Sequence, residues 1–344
     1  MQESVRADLS IILVNWNAVD YLRECIASIY ESTQGISFEI IVVDNASPAA
    51  NVDTLKEHFP QITIIKSPEN LGFAKANNLG FEHSSGSLLL FLNPDTKLVG
   101  PAINLLVDQI RARPDAGIVG ARHVGPDLTV QTTSIQKFPR ILNQVLDIEY
   151  LRLRWPHSSL WDIAPLFSSS MEPVQVEMIP GACMLLRREV FEQLGMFTED
   201  YFMYAEDVDL NVRVARAGLR NYYVPEATII HYGGRSSAQQ SVSHWSTVMM
   251  CRAMWKFFAR NHGRFYAAMY RMAMGCCALV RVAFFALAYP LGILVRKRQR
   301  LRSALGKWRV ILLWACGLDQ RVLNAIGSRA VASFAGHWRR RPPE

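Results

Sequence analysis

The chain has 344 residues, half of them hydrophobic and 19% charged, which suffices for a large folded domain plus an appendage and excludes a mainly disordered chain. The net charge of +7 is unevenly placed: 18 Lys/Arg face two acids from Arg252 onward, whereas the preceding part holds 19 bases and 28 acids. An acidic front with a basic, apolar tail argues against nucleic-acid binding and for contact with an anionic membrane surface. The six cysteines lack CxxC spacing and predict reduced thiols in a cytosolic compartment. Met1–Ser10 carries Glu3, Arg6 and Asp8 and lacks the apolar core of a signal peptide.

Strand and helix patterns alternate over the first 125 residues. Leu9–Val14 is a continuous apolar run, as expected of a strand buried on both faces. Tyr21, Leu22, Cys25, Ile26 and Ile29 recur at helical spacing. Phe38–Val43 predicts a second strand, ending at Asp44-Asn45-Ala46-Ser47-Pro48, and Ile62–Ile65 a third. Phe73–Phe81 reads as a helix, Leu88–Leu92 as a fourth strand, Leu105–Ile110 as part of a helix and Gly117–Gly120 as the start of a short strand. The expected fold is α/β, a mainly parallel sheet covered by helices. Ligands bind such sheets outside the carboxyl ends of the strands, where Asn15, Asp44 and Asp95 fall.

Thr129–Val176 contains four prolines and a serine run and is expected to be an insert of loops and short helices. Order returns with a strand near Ala182–Leu186, helices over Arg187–Leu194 and Glu206–Ala217, and a strand near Thr228–His231. Gly195 and Gly218 stand at expected helix C-termini. Residues 1–242 are thus predicted to form one domain, with 243–344 a helical, membrane-associating region. Within that region Met272–Val295 is long enough to span a bilayer, but Arg281 lies near its centre. Arg264 and Arg271 precede it and Arg296, Lys297, Arg298 and Arg300 follow, without the charge asymmetry of a typical span. An interfacial or re-entrant helix pair, its second helix over Leu301–Leu318, is the expectation, the alternative being a soluble helical bundle.

Two acidic clusters carry the chemistry. Asp95 in Leu92-Asn93-Pro94-Asp95-Thr96 ends an apolar strand and can hold Mg²⁺ or Mn²⁺, ions that keep waters and bridge to phosphates. Alternatively it caps a following helix. Asp44 can accept from the N3–H of a uracil or thymine ring, or close an Asx-turn. Asn70–Asn78 opens a helix after a glycine, where backbone N–H groups and Lys75 could face a diphosphate. Neither GxGxxG nor GxxxxGK[ST] occurs. Glu206, Asp207 and Asp209 stand at a helix start, where acids favour the dipole. Three within four residues exceed what capping needs, and one with a raised pKa would suit a general base. His231, at a strand end, can complete a metal shell or be structural.

These segments resemble a family 2 glycosyltransferase of the GT-A fold over Leu9–Ser237. The resemblance rests on Ser10–Asn17, Glu39–Ser47, Asn70–Gly80, Leu89–Thr96, Gly181–Phe197 and the block from Tyr201 through His231-Tyr232-Gly233-Gly234. The LNPDT and YAEDVDL strings are most similar to bacterial rhamnosyltransferases that use dTDP-L-rhamnose. The resemblance implies that Asp95 is the last acid of the metal motif, with Asn93 where the first acid often lies. It makes Asp44 the base-recognising acid and Asp207 the catalytic base, supported by Glu206. Thr198 stands where the subgroup often has Asp. The implied donor site comprises Asn15, Asn17, Asp44, Asn45, Gly72, Lys75, Asn78, Asn93 and Asp95, and the implied metal ligands are Asp95 and His231.

The expected activity is inverting transfer of a sugar from a nucleotide-sugar to a hydroxyl of a polyprenyl-diphosphate-linked saccharide, at the cytoplasmic face of the bacterial inner membrane. The expected process is cell-surface polysaccharide synthesis, and a homo-oligomer is compatible with the sequence. The alternatives are a UDP-sugar donor, a catalytically idle membrane scaffold on the same frame, or a sugar-nucleotide pyrophosphorylase. The last needs a Gly-rich basic loop after the first strand, and Asn15-Trp16-Asn17 is not one.

Overall fold

The computed structural model describes residues 7–48, 51–233, 240–294, 298–321 and 323–324. Val295, Arg296, Lys297 and Gly234 of the sequence expectations lie outside them, as do the basic residues beyond Asn324. The chain divides into two compact units. The first comprises residues up to Pro139, Asp147–Phe202 and Glu206–Gly233; the second comprises Arg140–Leu146, Met203–Ala205 and the chain from Gly234.

In the first unit the strands are β1 (Leu9–Asn15), β2 (Phe38–Asp44), β3 (Thr63–Lys66), β4 (Leu88–Leu92), β5 (Thr96–Val99), β6 (Ala116–Val124), β7 (Val174–Val176), β8 (Cys183–Arg187) and β9 (Arg220–His231). They form one sheet of order β3-β2-β1-β4-β8-β6-β9-β5, with β7 on β9. Strands β3, β2, β1 and β4 are mutually parallel, β1 and β4 being the most fully buried, and β6 runs parallel to β9. Strand β8 is antiparallel to both β4 and β6, and β5 and β7 are antiparallel to β9. The helices of this unit are α1 (Val19–Ser32), α2 (Leu55–His58), α3 (Gly72–Glu82) and α4 (Ala102–Ala112). α5 (Ile141–Val145) falls in the second unit; α6 (Glu149–Arg154), α7 (Arg188–Gln193) and α8 (Glu206–Arg216) return to the first. Apolar clusters cover the two sheet faces: Leu22, Ile26 and Ile103 pack on one, Phe81, Phe191 and Leu210 on the other. All six cysteines are free, and burial pushes the Cys25 and Cys183 thiols up to about 12.

The structure departs from the sequence expectation in several elements: β7 is a strand within the expected insert of loops and short helices, β5 was not expected, and β6 and β9 are longer than expected. Strand β9 is three times longer than the predicted Thr228–His231 segment and contains Pro225. Its ladder with β6 jumps from Val224 to Thr228, so the proline sits in a bulge where no ladder donor is needed. Asp95 caps no helix. The turn Asn93–Thr96 is closed by the Thr96 hydroxyl donating to the Asn93 carbonyl over 2.7 Å, and β5 follows directly.

In the second unit α9 (Gln240–His262), α10 (Arg264–Leu294) and α11 (Arg298–Ala315) pack together, with α5 against α10. Over Arg264–Ala288, α10 is long and apolar enough to cross a membrane. Its packed face carries Ala267, Tyr270, Met274 and Ala278. Arg281 lies on that face: its Nη2 donates to the Val145 carbonyl over 2.9 Å and its guanidinium stacks 4.1 Å over Trp308. The opposite face exposes Phe265, Met269, Met272, Val280, Phe284 and Leu287, spaced three, four or eight residues apart and so aligned in one stripe.

Candidate active site

The parallel strands deliver their polar residues to one edge. Asn15 and Asp44, last in β1 and β2, are paired in register. The Asn15 Nδ2 donates to Asp44 Oδ1 over 2.9 Å, and the Ser47 hydroxyl donates to the same oxygen over 2.6 Å. Ser47 Oγ also accepts from Asn15 Nδ2 and from the Asn17 N–H. Asn17 holds a left-handed φ of 55°, a conformation asparagine tolerates better than most residues. Among the described residues Asp44 Oδ2 accepts no hydrogen bond, which leaves one carboxylate oxygen for a ligand donor. Ser47, beside the predicted Asp44, is the residue that orders this corner.

Three of the predicted donor-site residues serve the frame of the site. Asn45 donates to the Gly72 carbonyl and to Asn70 Oδ1 and accepts from the Leu71 N–H, tying β2 to the entry of α3. Asn78 donates to the Phe197 carbonyl and Glu199 Oε1 and accepts from the Phe197 N–H. Gly72 has φ +78°, and a Cβ there would collide with the Phe202 carbonyl oxygen. That carbonyl accepts from the Phe73 N–H, while the Gly72 N–H donates to Asn70 Oδ1. The Gly72 and Phe73 N–H groups that open α3 are therefore satisfied within the protein, and the glycine permits a close backbone approach. Lys75 stays exposed, with no ion pair among the described residues.

Asp95 and His231 are brought together by the antiparallel pairing of β5 with β9, in which Thr96 faces His231. Asp95 Oδ1 lies 3.5 Å from His231 Nε2, and Asn93 Nδ2 lies 3.5 Å from the same nitrogen. On the other side of the ring, Gln131 Oε1 is 3.2 Å from Nδ1, and Gln131 Nε2 donates to the His231 carbonyl. His123 packs edge-on against His231; burial, with the His231 ring beside it, pushes its pKa down to about 3, so it stands there uncharged. A carboxylate oxygen and an imidazole nitrogen converging in this way suit Mg²⁺ or Mn²⁺ completed by water and phosphate oxygens. Among the described residues no cluster of three or more His, Cys, Asp or Glu could hold an ion by itself.

Gly181-Ala182, entering β8, links this corner to the second acidic cluster. The Ala182 carbonyl accepts from the Asn93 N–H, and the Gly181 N–H donates to Asp207 Oδ2 over 2.8 Å. Asp207 Oδ1 accepts from the Val208 N–H. Asp207 is partly buried, and burial raises its pKa above the usual carboxylate value against the pull of these N–H donors. Tyr204 and Ala205, just before α8, hold φ near +69° and +67° although neither is glycine, a costly arrangement that sites of chemistry retain. Glu206 is buried at the first position of α8.

The third acid is different. Asp209 is 2% exposed, pairs with Arg213 over 2.9 Å and accepts from the Thr198 hydroxyl over 2.7 Å. Thr198 is therefore a donor to Asp209, where a carboxylate would repel it. Asn211, missed in the sequence, holds the Gly181 segment in place by bonding both the N–H and the carbonyl of Ile179 and the Asp207 carbonyl.

Comparison with known proteins bears on the family and the fold. The family model described as glycosyl transferase family 2 matches residues 10–195, and that for glycosyl transferase family group 2 matches residues 154–335. The chain is 27% identical over 279 residues to the N-acetylglucosaminyl-diphospho-decaprenol L-rhamnosyltransferase of Mycobacterium tuberculosis, covering 77% of this chain and 89% of that one. It is 24% identical over 231 residues to the rhamnosyltransferase WbbL of Escherichia coli K12, covering 64% and 82%. Among solved structures it shares its fold with the mannosyltransferase PcManGT from Pyrobaculum calidifontis in complex with GDP-Man and Mn²⁺. That likeness has a TM-score of 0.53 at 18% identity and covers 95% of this chain and 88% of the other. With the family model spanning more than half of its length, and its acids standing at the strand ends of a GT-A-like sheet, the chain belongs to glycosyl transferase family 2.

Proposed function

We propose that the protein transfers L-rhamnose from dTDP-L-rhamnose, with inversion, to a hydroxyl of a lipid-linked saccharide during synthesis of a bacterial cell-surface polysaccharide. The observation that carries this reading is Asp207, a partly buried carboxylate of raised pKa held by the Gly181 N–H one residue from Ala182, which binds Asn93. The rhamnosyl and lipid-linked parts draw support from the two relatives named rhamnosyltransferases, one of them for a decaprenyl-diphosphate acceptor.

In this reading Asp44, braced by Asn15 and Ser47, accepts the N3–H of the donor base through Oδ2. Asp95 and His231 would hold Mg²⁺ or Mn²⁺, which when bound neutralises charge on the diphosphate. Asp207 takes the proton of the acceptor hydroxyl. The hydroxyl oxygen forms a bond to the anomeric carbon, and the bond to the diphosphate breaks with its electron pair leaving on the nucleoside diphosphate. Attack opposite the leaving group inverts the centre. The protein contributes position and electrostatics and forms no covalent intermediate.

Residues 1–242 are the catalytic domain in this scheme, and 243–344 attach it to the cytoplasmic face of the inner membrane, where a polyprenyl-linked acceptor resides. The exposed stripe of α10 and the basic composition of the tail support attachment, and the inward-turned Arg281 favours a helix lying in the interface.

A donor screen tests the reading: thermal stabilisation and slow donor hydrolysis with Mg²⁺ or Mn²⁺ across dTDP-rhamnose, UDP-glucose, UDP-galactose, UDP-GlcNAc and GDP-mannose. Response to dTDP-rhamnose is expected. Preference for a UDP-sugar would keep the chemistry and remove the rhamnosyl assignment, and silence with every donor would favour a non-catalytic scaffold.

A further inference from the structure

We propose that Gln131 is a positioning residue for the metal corner: it holds the proton of His231 on Nδ1, so that Nε2 faces Asp95 as an unprotonated donor ready for a divalent ion. The inference rests on the reading of Asp95 and His231 as ion ligands.

The chemistry of the contacts dictates the assignment. A backbone carbonyl only accepts, so the Gln131 atom bonded to the His231 carbonyl at 2.6 Å must be its NH₂ group. The amide oxygen then faces His231 Nδ1 at 3.2 Å, and that contact is favourable only when Nδ1 carries hydrogen. In the neutral imidazole, the form that binds a cation, this contact puts the one N–H on Nδ1 and leaves Nε2 its lone pair. Asn93 supports the same tautomer, since its amide nitrogen is a donor and lies 3.5 Å from Nε2. Asp95 opposes it: a carboxylate 3.5 Å from Nε2 favours a proton there, and a protonated Nε2 cannot bind a cation. Between the two neutral tautomers, Gln131 favours the one whose Nε2 can bind a cation.

The side chain is well placed for this. The Gln131 N–H donates to the His123 carbonyl over 3.0 Å, and its own carbonyl accepts from both the N–H and the hydroxyl of Ser134. Its backbone is fixed on both sides, and the amide forks across the backbone and ring of one residue a hundred positions further on. Residues that orient a metal-binding histidine through its second nitrogen commonly govern metal affinity.

The test uses the full-length protein and Mn²⁺ alone, with binding followed by electron paramagnetic resonance of the free ion. Gln131→Met, similar in length without donor or acceptor, should bind Mn²⁺ about 10–100-fold more weakly. Gln131→Glu keeps an acceptor for the Nδ1–H but sets a carboxylate oxygen against the His231 carbonyl; it should bind Mn²⁺ more weakly than the wild type but more tightly than Gln131→Met. Asp95→Asn serves as the control for the ion site. Unchanged affinity in Gln131→Met, or an equal loss in Gln131→Glu, would overturn the inference while a loss in Asp95→Asn still upholds the site. Unchanged affinity in Asp95→Asn would overturn both. Independently of any variant, ¹⁵N spectra of the metal-free wild type should show the His231 proton on Nδ1, and a proton on Nε2 would sink the proposal.

Discussion

The Gly181 N–H donates to Asp207 Oδ2 over 2.8 Å, and a Cβ on Gly181 would sit 3.4 Å from that same oxygen. The carboxylate proposed as the base is thus aimed by a backbone donor. Asp207→Asn keeps an acceptor for Gly181 and removes the basic group. Turnover should fall about 10²–10⁴-fold with donor affinity nearly unchanged, measured by steady-state kinetics and calorimetry. Activity of the wild type should fall as pH drops through the raised pKa of Asp207, so the acid limb should lie above the ordinary carboxylate value of about 4. A folded pKa raised above the unfolded one contributes stability at low pH that is lost as pH rises through it. Asp207→Asn should therefore melt no lower than the wild type at neutral pH.

Asp44→Asn retains the oxygen that Asn15 and Ser47 bond but replaces the free carboxylate oxygen by NH₂, a donor facing a donor. Binding of dTDP and UDP should weaken by about 10–100-fold, the value of a hydrogen bond to a charged acceptor. Calorimetric affinities equal to the wild type would remove Asp44 from base recognition.

Gly72→Ala should lose stability before it loses chemistry. The new methyl would meet the Phe202 carbonyl at a φ that disfavours alanine, at a combined cost of about 2–4 kcal/mol in chemical denaturation.

Asp209→Ala should behave as a folding mutation. It leaves Arg213 without its partner in a mostly buried site, costing about 3 kcal/mol, while the fraction that folds keeps near-normal turnover. Loss of turnover without loss of stability would assign Asp209 to catalysis.

Phe284→Ser with Leu287→Ser removes two exposed side chains from the α10 stripe. Each contributes about 1.5–3 kcal/mol when buried in an apolar phase, so flotation with anionic vesicles should drop by at least about tenfold. Equal flotation of variant and wild type would place the contact elsewhere.

Much of the first unit was legible locally. Strands buried on both faces must be apolar at successive positions, so β1, β2 and β4 stand out as runs, and the polar residues at their ends, Asn15, Asp44 and Asp95, mark the candidate ligand edge. Asp95 and Asp207 were legible because acids at a strand end and at a helix start break those patterns in recognisable strings. Local pattern records burial and period, and it is silent on which distant side chain arrives beside which. The pairing of β5 with β9 sets His231 against Asp95, and Gln131 reaches that ring from an insert whose composition marked only loops and short helices. Among three neighbouring carboxylates, helical geometry turned Asp209 to Arg213 and left Asp207 to Gly181. The same rule decided Arg281. In sequence it is a charge near the middle of an apolar segment; in the folded tail it lies on the packed face, bonded to Val145, because a helix can bury one side and expose the other. Composition and periodicity determined the frame and the edge, and tertiary register decided the partners, since contacts between residues a hundred positions apart leave no trace in either one alone.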